Sequence, residues 1–184
     1  MADRFATLSP DLAQWWRAQP LFFVATAPRG DEGHVNLSPK GYDTLRVLGP
    51  DRVAYLDLTG SGVETIAHLR ENGRITLMAC AFDGNPRISR IYGRGTVHLA
   101  GTAAFDELAP EFAMLPGARS IVDVAVERVT TSCGYAVPRM DLVDDRDRLL
   151  DWAKNKGDDG IAQYWASKNA QSIDGLAGLT GSDA

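Results

Sequence analysis

Cysteine is scarce in this sequence: Cys80 and Cys133 are the two among 184 residues, and no CxxC spacing occurs. A small domain held together by disulfides is therefore excluded, and the composition favours a reducing compartment. Residues 1–5 lack the basic-then-apolar pattern of a signal peptide, and no apolar run approaches membrane-spanning length. We therefore expect a cytoplasmic protein that does not enter a membrane.

Histidine and basic charge are also in short supply. The three histidines, His34, His68 and His98, lie far apart without a partner at ligand spacing, so no metal site is predicted. The formal net charge of -5 argues against a general nucleic-acid binder, which needs a basic surface. A Ser-His-Asp order, a Walker loop and a GxGxxG fingerprint are all missing. No catalytic residue stands out.

What is present is an ordinary globular composition, 45% hydrophobic and 23% charged. Apolar runs of strand length recur at close spacing between glycine- and proline-rich turns, without regular strand–helix alternation. This pattern predicts a mainly β (α+β) fold, a small antiparallel barrel with added helices. Strands are expected at 21–27, 34–38, 44–48, 52–58, 74–82, 87–100 and 120–130.

Helices are predicted between and after these strands. Ser9 and Pro10 begin the first, because serine is a good N-cap and proline suits the first turn. The others are expected at 62–72, 102–111, 144–156 and 161–168. We divide the chain into a barrel domain, residues 1–140, and a helical C-terminal extension, residues 141–184, packed on it. Residues 172–179 are expected to be pinned against the rest of the chain, with the final residues frayed.

Two segments, 35–41 and 59–65, are candidate edges of one pocket for a phosphorylated ligand. In the first, Asn36 and Ser38 alternate with apolar residues and project from one face of a strand. Lys40 follows at the strand end, where a compact cation suits a phosphate. The alternative is an exposed edge strand with a solvated lysine.

The second segment turns through two glycines into a helix. Ser61 and Glu64 fit a capping box, with Ser61 as N-cap and Glu64 reaching back to it. The alternative is that the free amides of this helix start bind a phosphate. Glu64 counts against that alternative, because its carboxylate would occupy the same positive end of the helix.

Three arginines cluster on one predicted strand. Arg90 and Arg94 share a face, whereas Arg87 falls on the other. They are either a solvated face or a source of positive charge for the pocket. Gly93 and Gly95, on either side of Arg94, predict a bend or bulge in the strand.

Longer motifs resemble the pyridoxamine 5'-phosphate oxidase-like family of FMN-binding split barrels. The resemblance is to a branch with the patterns VN-x-SPKG, LD-x-TGSG-x-ET-x-x-HL-x-x-N-x-RIT and F-x-G-x-PRI-x-R-x-YGRG. They stand here at 35–41, 56–76 and 82–95. Residues 132–138 and 172–176 also resemble that branch, so the likeness spans nearly the whole chain.

The resemblance implies a homodimer of split β-barrels that holds FMN between its subunits. The strand at 35–40 would line the flavin, and the turn at 62–65 would lie by its phosphate. The candidate cofactor-binding residues are Asn36, Ser38, Lys40, Gly41, Ser61, Gly62, Glu64, Thr65, Arg90 and Arg94. The last two would add positive charge for the phosphate.

One departure bears on the activity. The family's vitamin B6 oxidases carry an Arg-Lys pair in the turn where this chain has Glu64 and Thr65. We therefore favour a flavin-dependent oxidoreductase of unknown small-molecule substrate over pyridoxamine 5'-phosphate oxidase itself. The alternative is a module that holds a flavin, deazaflavin F420 or haem without turnover.

Overall fold

The computed structural model of the protein describes residues 3–179. The strands are β1 Asp3–Phe5, β2 Phe22–Thr26, β3 Asn36–Lys40, β4 Leu45–Gly49, β5 Arg52–Leu58, β6 Arg74–Cys80, β7 Ile88–Leu99 and β8 Ala118–Ser132. The helices are α1 Pro10–Arg17, α2 Glu64–Asn72, α3 Ala103–Leu108 and α4 Arg148–Lys168, with a 3-10 turn at Ala109–Glu111. Every predicted strand overlaps an observed one. The short β1 was not predicted, because its three residues carry no strand pattern.

The strands form one 8-stranded antiparallel sheet in the order β3-β2-β6-β7-β8-β5-β4, with β1 added to β8. Within residues 3–179 no ladder joins the end strands β3 and β4, so the sheet curls without closing. We call this opening, between β3 on one side and the β4–β5 hairpin on the other, the seam. The architecture is a split barrel, which confirms the predicted fold class.

The curvature of the sheet depends on a bulge in β7. The register between β7 and β8 shifts between Tyr92 and Gly93, as the glycines predicted. A Cβ added at Gly93 would clash with the carbonyl oxygen of Ala125. Glycine is therefore required for the two long strands to stay paired through the bend.

The core lies inside the curled sheet. In β2, Phe22, Val24 and Thr26 are buried on the inner face, while Phe23 and Ala25 are half-buried on the outer face. Helix α1 covers one end of the barrel, and its N-cap Ser9 accepts a hydrogen bond from the Leu12 amide at 3.2 Å, as predicted. The buried Trp16, also from α1, donates its indole N–H to Ser89 Oγ at 2.9 Å. Burial of these apolar faces is the main stabilising contribution.

The C-terminal region follows the barrel as two helical segments and a strap. The element α4 is interrupted where Gly157 adopts the non-helical angles φ 64 and ψ 175, so the predicted break between the helices at 144–156 and 161–168 is observed. Residues 169–179 then return to the turn before α2 and to the start of that helix, and we call them the C-terminal strap. The expectation for residues after Leu179 falls outside the described part of the chain. Among residues 3–179, no helix is both long enough and apolar enough to span a membrane.

Candidate functional site

Strand β3 presents a polar row to the inside of the barrel. Asn36, Ser38 and Lys40 pair with Thr26, Val24 and Phe22 of β2, and paired residues share a face.

Leu37 and Pro39 of the same strand are exposed on the outer face. The predicted alternation is therefore observed. The polar row of β3 faces the interior at the seam and not the solvent around an exposed edge.

Asn36 is the centre of a partly buried hydrogen-bond cluster. Its Nδ2 donates to Thr65 Oγ1 at 2.9 Å and to Thr26 Oγ1 at 3.3 Å. Its Oδ1 accepts from Ser38 Oγ at 3.1 Å. Thr26 Oγ1 also lies 2.9 Å from Nδ1 of the fully buried His68. We call Thr26, Asn36, Ser38, Thr65 and His68 the amide cluster; it joins the candidate strand to the start of α2.

Lys40 belongs to a second group, an ion triad that bridges the seam. Its Nζ lies 2.7 Å from Asp57 Oδ1 in β5, and Arg119 Nε of β8 lies 2.6 Å from Asp57 Oδ2. Asp57 is 0% exposed, Arg119 5% and Lys40 18%. Two cations share one carboxylate, so the triad carries one positive charge in excess.

The charges of the triad dominate the titration of Asp57. Burial by itself raises the pKa of Asp57, but the nearby Arg119 and Lys40 outweigh burial and lower the pKa from 3.8 to about 2. Sequence reasoning missed Asp57 and Arg119. The available signal was Asp57 itself, because a carboxylate between leucines in an apolar strand is rarely buried without a cationic partner.

A cavity of about 220 Å³ lies beside the triad at the seam. Its lining includes Lys40 and Gly41 from the first candidate segment and Thr59 and Gly60 from the second. The ends of the two candidate segments therefore meet around one opening. That this opening takes a phosphorylated ligand stays a prediction.

The predicted capping box at the start of α2 is wrong. The helix begins at Glu64, with Val63 as N-cap and no side-chain cap. The carbonyl of Gly62 accepts instead from Arg119 at 2.9 Å, and the carbonyl of Gly60 accepts from the Asn169 amide at 3.1 Å. These tertiary contacts hold the turn in a shape that leaves Ser61 outside the helix.

The C-terminal strap covers this same turn. Glu64 Oε1 accepts from the Ile173 amide at 3.3 Å, so its carboxylate is engaged at the helix start. The strap residue Asp174 accepts from the His34 amide at 2.8 Å and lies 2.7 Å from His34 Nδ1. Leu179 is buried against Val63 and its neighbours. Residues 172–179 are thus pinned as expected, and they occupy the space in front of α2.

Arg90 and Arg94 lie on the outer face of the sheet, opposite to the amide cluster and the triad. Arg90 pairs with Met78, which continues the row that contains Phe23 and Pro39. Arg94 is exposed and bonded to Glu127 at 3.0 Å. Neither arginine reaches the seam within one chain. Across residues 3–179, no group of histidine, cysteine or acidic side chains is arranged to hold a metal ion.

Comparison with known proteins gives both family and fold. The sequence model described as Pyridoxamine 5'-phosphate oxidase matches residues 8–133. The pyridoxamine 5'-phosphate oxidase family protein ustO of Aspergillus flavus is 40% identical over 195 residues, which cover 95% of this chain and 77% of that protein.

Solved structures share the fold at low sequence identity. HupZ of Group A Streptococcus superposes with a TM-score of 0.50 at 20% identity, covering 66% of this chain and 91% of that one. The FAD binding protein from Mycobacterium smegmatis gives a TM-score of 0.50 at 16% identity, over 68% and 96% of the two chains. The fold agrees with the family match, and the chain belongs to the pyridoxamine 5'-phosphate oxidase family.

Proposed function

We propose that this protein binds FMN at the seam as a homodimer and is a flavin-dependent oxidoreductase acting on a small molecule. The observation that carries the proposal is the polar row of β3, which ends in an ion triad with one excess positive charge. Family membership supports it, and a protein of similar fold is described as FAD binding. Both cysteines are free, which fits the cytoplasmic location that we also propose.

The residues at the seam fit an anionic cofactor. Lys40 is the more exposed of the two cations in the triad. Arg119 is paired with the same carboxylate, Asp57, and therefore adds positive charge to the site. The start of α2 suits a phosphate less well, because Glu64 and the strap already occupy it. We therefore assign the phosphate charge to Lys40, with Asn36, Ser38 and Thr65 as further contacts of the cofactor.

A bound flavin would supply hydride chemistry, and the chain's own residues would bind and orient it. Lys40 and Asp57 are committed to the triad, and His68 is bonded to Thr26. The triad groups and Nδ1 of His68 are therefore already engaged, and the two unpaired groups nearby, His68 Nε2 and Tyr55 Oη, are fully buried. This observation also favours the second candidate function, a module that holds a flavin without turnover.

The homodimer is proposed from the outer face of the sheet. Leu37 is 63% exposed and Val35 74% exposed, and half-buried Phe23, Ala25 and Met78 continue the apolar surface. A cavity of about 360 Å³ lies on this face, lined in part by Val35, Thr76 and Tyr92. An exposed apolar face of this kind is typical of a subunit contact. Because β3 borders both this face and the seam, a partner seated there would lie beside the cofactor.

Cofactor identity and the role of Lys40 are tested together. Mass spectrometry of the denatured protein identifies the copurified molecule, and titration of the apoprotein measures FMN affinity. We expect Lys40→Met to weaken FMN binding by about 10- to 100-fold, which is the range of one hydrogen bond to a charged group. The neutral change is preferable to Lys40→Glu, which would also place a carboxylate against Asp57. Unchanged affinity in Lys40→Met would remove Lys40 from the site.

Turnover separates the two candidate functions. Anaerobic reduction of the bound flavin by NADH or NADPH, followed by a screen of acceptors, is expected for an oxidoreductase. Pyridoxamine 5'-phosphate belongs in the same screen as a substrate, and its oxidation would overturn our assignment against vitamin B6 oxidase. If the protein retains its flavin but no donor reduces it, the protein is the flavin-binding module without turnover.

The dimer is tested by sedimentation. Leu37→Glu introduces a charge into the proposed interface, and we expect it to give monomers with reduced flavin content. Val143→Glu is the matched control, because Val143 is 95% exposed and lies outside the strands of the sheet. A Leu37→Glu protein that remains dimeric would exclude this face as the interface.

A further inference from the structure

The hydrogen bonds of the amide cluster form a chain in which each group is either the donor or the acceptor toward its neighbour. We call this order of donors and acceptors the direction of the chain. An amide nitrogen donates only and an amide oxygen accepts only. Nδ2 of Asn36 faces the hydroxyl oxygens of Thr26 and Thr65, so both threonines accept. Oδ1 of Asn36 faces Ser38 Oγ, so Ser38 donates.

The direction extends to His68. Because Thr26 Oγ1 accepts from Asn36, its own hydrogen is available for Nδ1 of His68, 2.9 Å away. In this arrangement Nδ1 is unprotonated and the ring proton is on Nε2, which is buried without a hydrogen-bond partner. With the proton on Nδ1 instead, Thr26 Oγ1 would accept a second hydrogen bond, and both its own hydrogen and Nε2 would lack partners among the described residues. The first arrangement leaves fewer buried polar groups unpaired and is therefore favoured.

The environment of His68 favours the neutral ring that this chain requires. The side chain is fully buried, and burial lowers the pKa of His68 below its usual value. The carboxylates of Asp174, Glu64 and Glu71, together with a hydrogen bond to the Thr26 backbone, raise the pKa without reversing the shift. A protonated ring would donate from Nδ1 and leave the Thr26 hydrogen without its acceptor.

The direction determines what the cluster offers to a ligand. Ser38 has committed its hydrogen to Asn36, so its oxygen remains as an acceptor. Thr65 has accepted from Asn36 and keeps its hydroxyl hydrogen, for which the described residues provide no acceptor. The Ser38 oxygen, an acceptor, and the Thr65 hydroxyl, a donor, therefore lie on either side of Asn36.

We infer that His68 is a positioning residue that acts through Thr26 to fix this acceptor–donor pair. The pair is complementary to a ligand group that both donates and accepts, such as a ribityl hydroxyl or the imide edge of a flavin ring. A phosphate carries acceptors alone at neutral pH and matches it poorly. The identity of the ligand rests on the proposed function, whereas the direction of the chain does not.

The direction is read in the ligand-free protein by long-range ¹H–¹⁵N spectra of the imidazole rings. The His68 signals are assigned by their loss in His68→Asn. We expect a protonated Nε2 and an unprotonated Nδ1 at pH 7. A proton on Nδ1 would overturn the inference, whether or not the protein binds any flavin.

The consequence for the ligand is read by titrating the apoprotein with FMN. His68→Leu removes the acceptor for Thr26, and we expect about 10-fold weaker binding. His68→Asn keeps an acceptor near the Nδ1 position, and we expect it to remain within about threefold of wild type. Equal losses in the two variants, or no loss in His68→Leu, would overturn the positioning role. Failure of the wild-type protein to bind FMN would instead refute the proposed function, and the spectra would still decide the direction.

Discussion

Replacing Asp57 by asparagine tests the ion triad at the seam. Asp57 is completely buried and accepts from Lys40 at 2.7 Å and from Arg119 at 2.6 Å. The substitution keeps the size of the side chain and removes its charge. Two cations then remain at the seam without a counterion, and one of them, Arg119, has little access to water.

Two arguments set the size of the effect. The shift of the Asp57 pKa from 3.8 to about 2 corresponds to about 2 kcal/mol in favour of the charged form. Breaking a buried ion pair by removing one partner destabilises proteins by about 3–5 kcal/mol. We therefore expect Asp57→Asn to lower the free energy of unfolding at pH 7 by about 2–5 kcal/mol. Urea denaturation followed by tryptophan fluorescence measures it.

The pH dependence distinguishes an electrostatic effect from a packing defect. Because the folded-state pKa of Asp57 lies below its unfolded value of 3.8, its contribution is complete well above pH 4. It is lost as the pH falls toward about 2. By pH 3, roughly 1 kcal/mol of the difference between wild type and Asp57→Asn should be gone.

Asp123→Asn is the matched control. Asp123 binds Arg52 at 2.8 Å, but Arg52 is 48% exposed, and such surface pairs contribute about 0–1 kcal/mol. An Asp57→Asn variant that is no less stable than Asp123→Asn would refute the argument. So would a stability difference that stays constant from pH 7 to pH 3.

Further predictions concern the strap and the core. A Cβ at Gly178 would clash with the carbonyl of Asn169, so we expect Gly178→Ala to displace the strap and make it sensitive to limited proteolysis. Gly60→Ala is the control, because a Cβ at Gly60 would meet open space and should not increase cleavage. Cleavage at equal rates in the two variants would contradict this. Trp16→Phe removes the buried bond to Ser89, and its free energy of unfolding should fall by about 1–3 kcal/mol in urea. A loss below about 0.5 kcal/mol would contradict that reasoning.

Local signals in the sequence predicted most of the fold. Apolar runs bounded by glycine and proline turns identify β2 through β8, because alternation and turn chemistry act over a few residues. Gly93 marked the bulge in β7 because a close backbone approach requires glycine. The same alternation placed Asn36 and Ser38 on one face of β3.

The start of α2 shows where local signals failed. Ser61 and Glu64 have the spacing of a capping box, but the turn is held by Arg119 and Asn169 from distant parts of the chain. Capping is a contribution of about 1 kcal/mol, which several tertiary hydrogen bonds outweigh. A local sequence pattern contains no information about such tertiary contacts.

The sequence by itself determined that β3 carries a polar row ending in Lys40, since alternation along a strand is a local property. Only the tertiary structure determined which residues contact that row. Pairing of β5 with β8 brings Asp57 close to Arg119, and the curl of the sheet brings Asp57 to Lys40. Pairing of β6 with β7 leaves Arg90 on the opposite face of the sheet. Strand pairing joins residues far apart in sequence, and electrostatic interactions depend on that final separation and burial. The lysine could therefore be recognised from the sequence, but its partners could not.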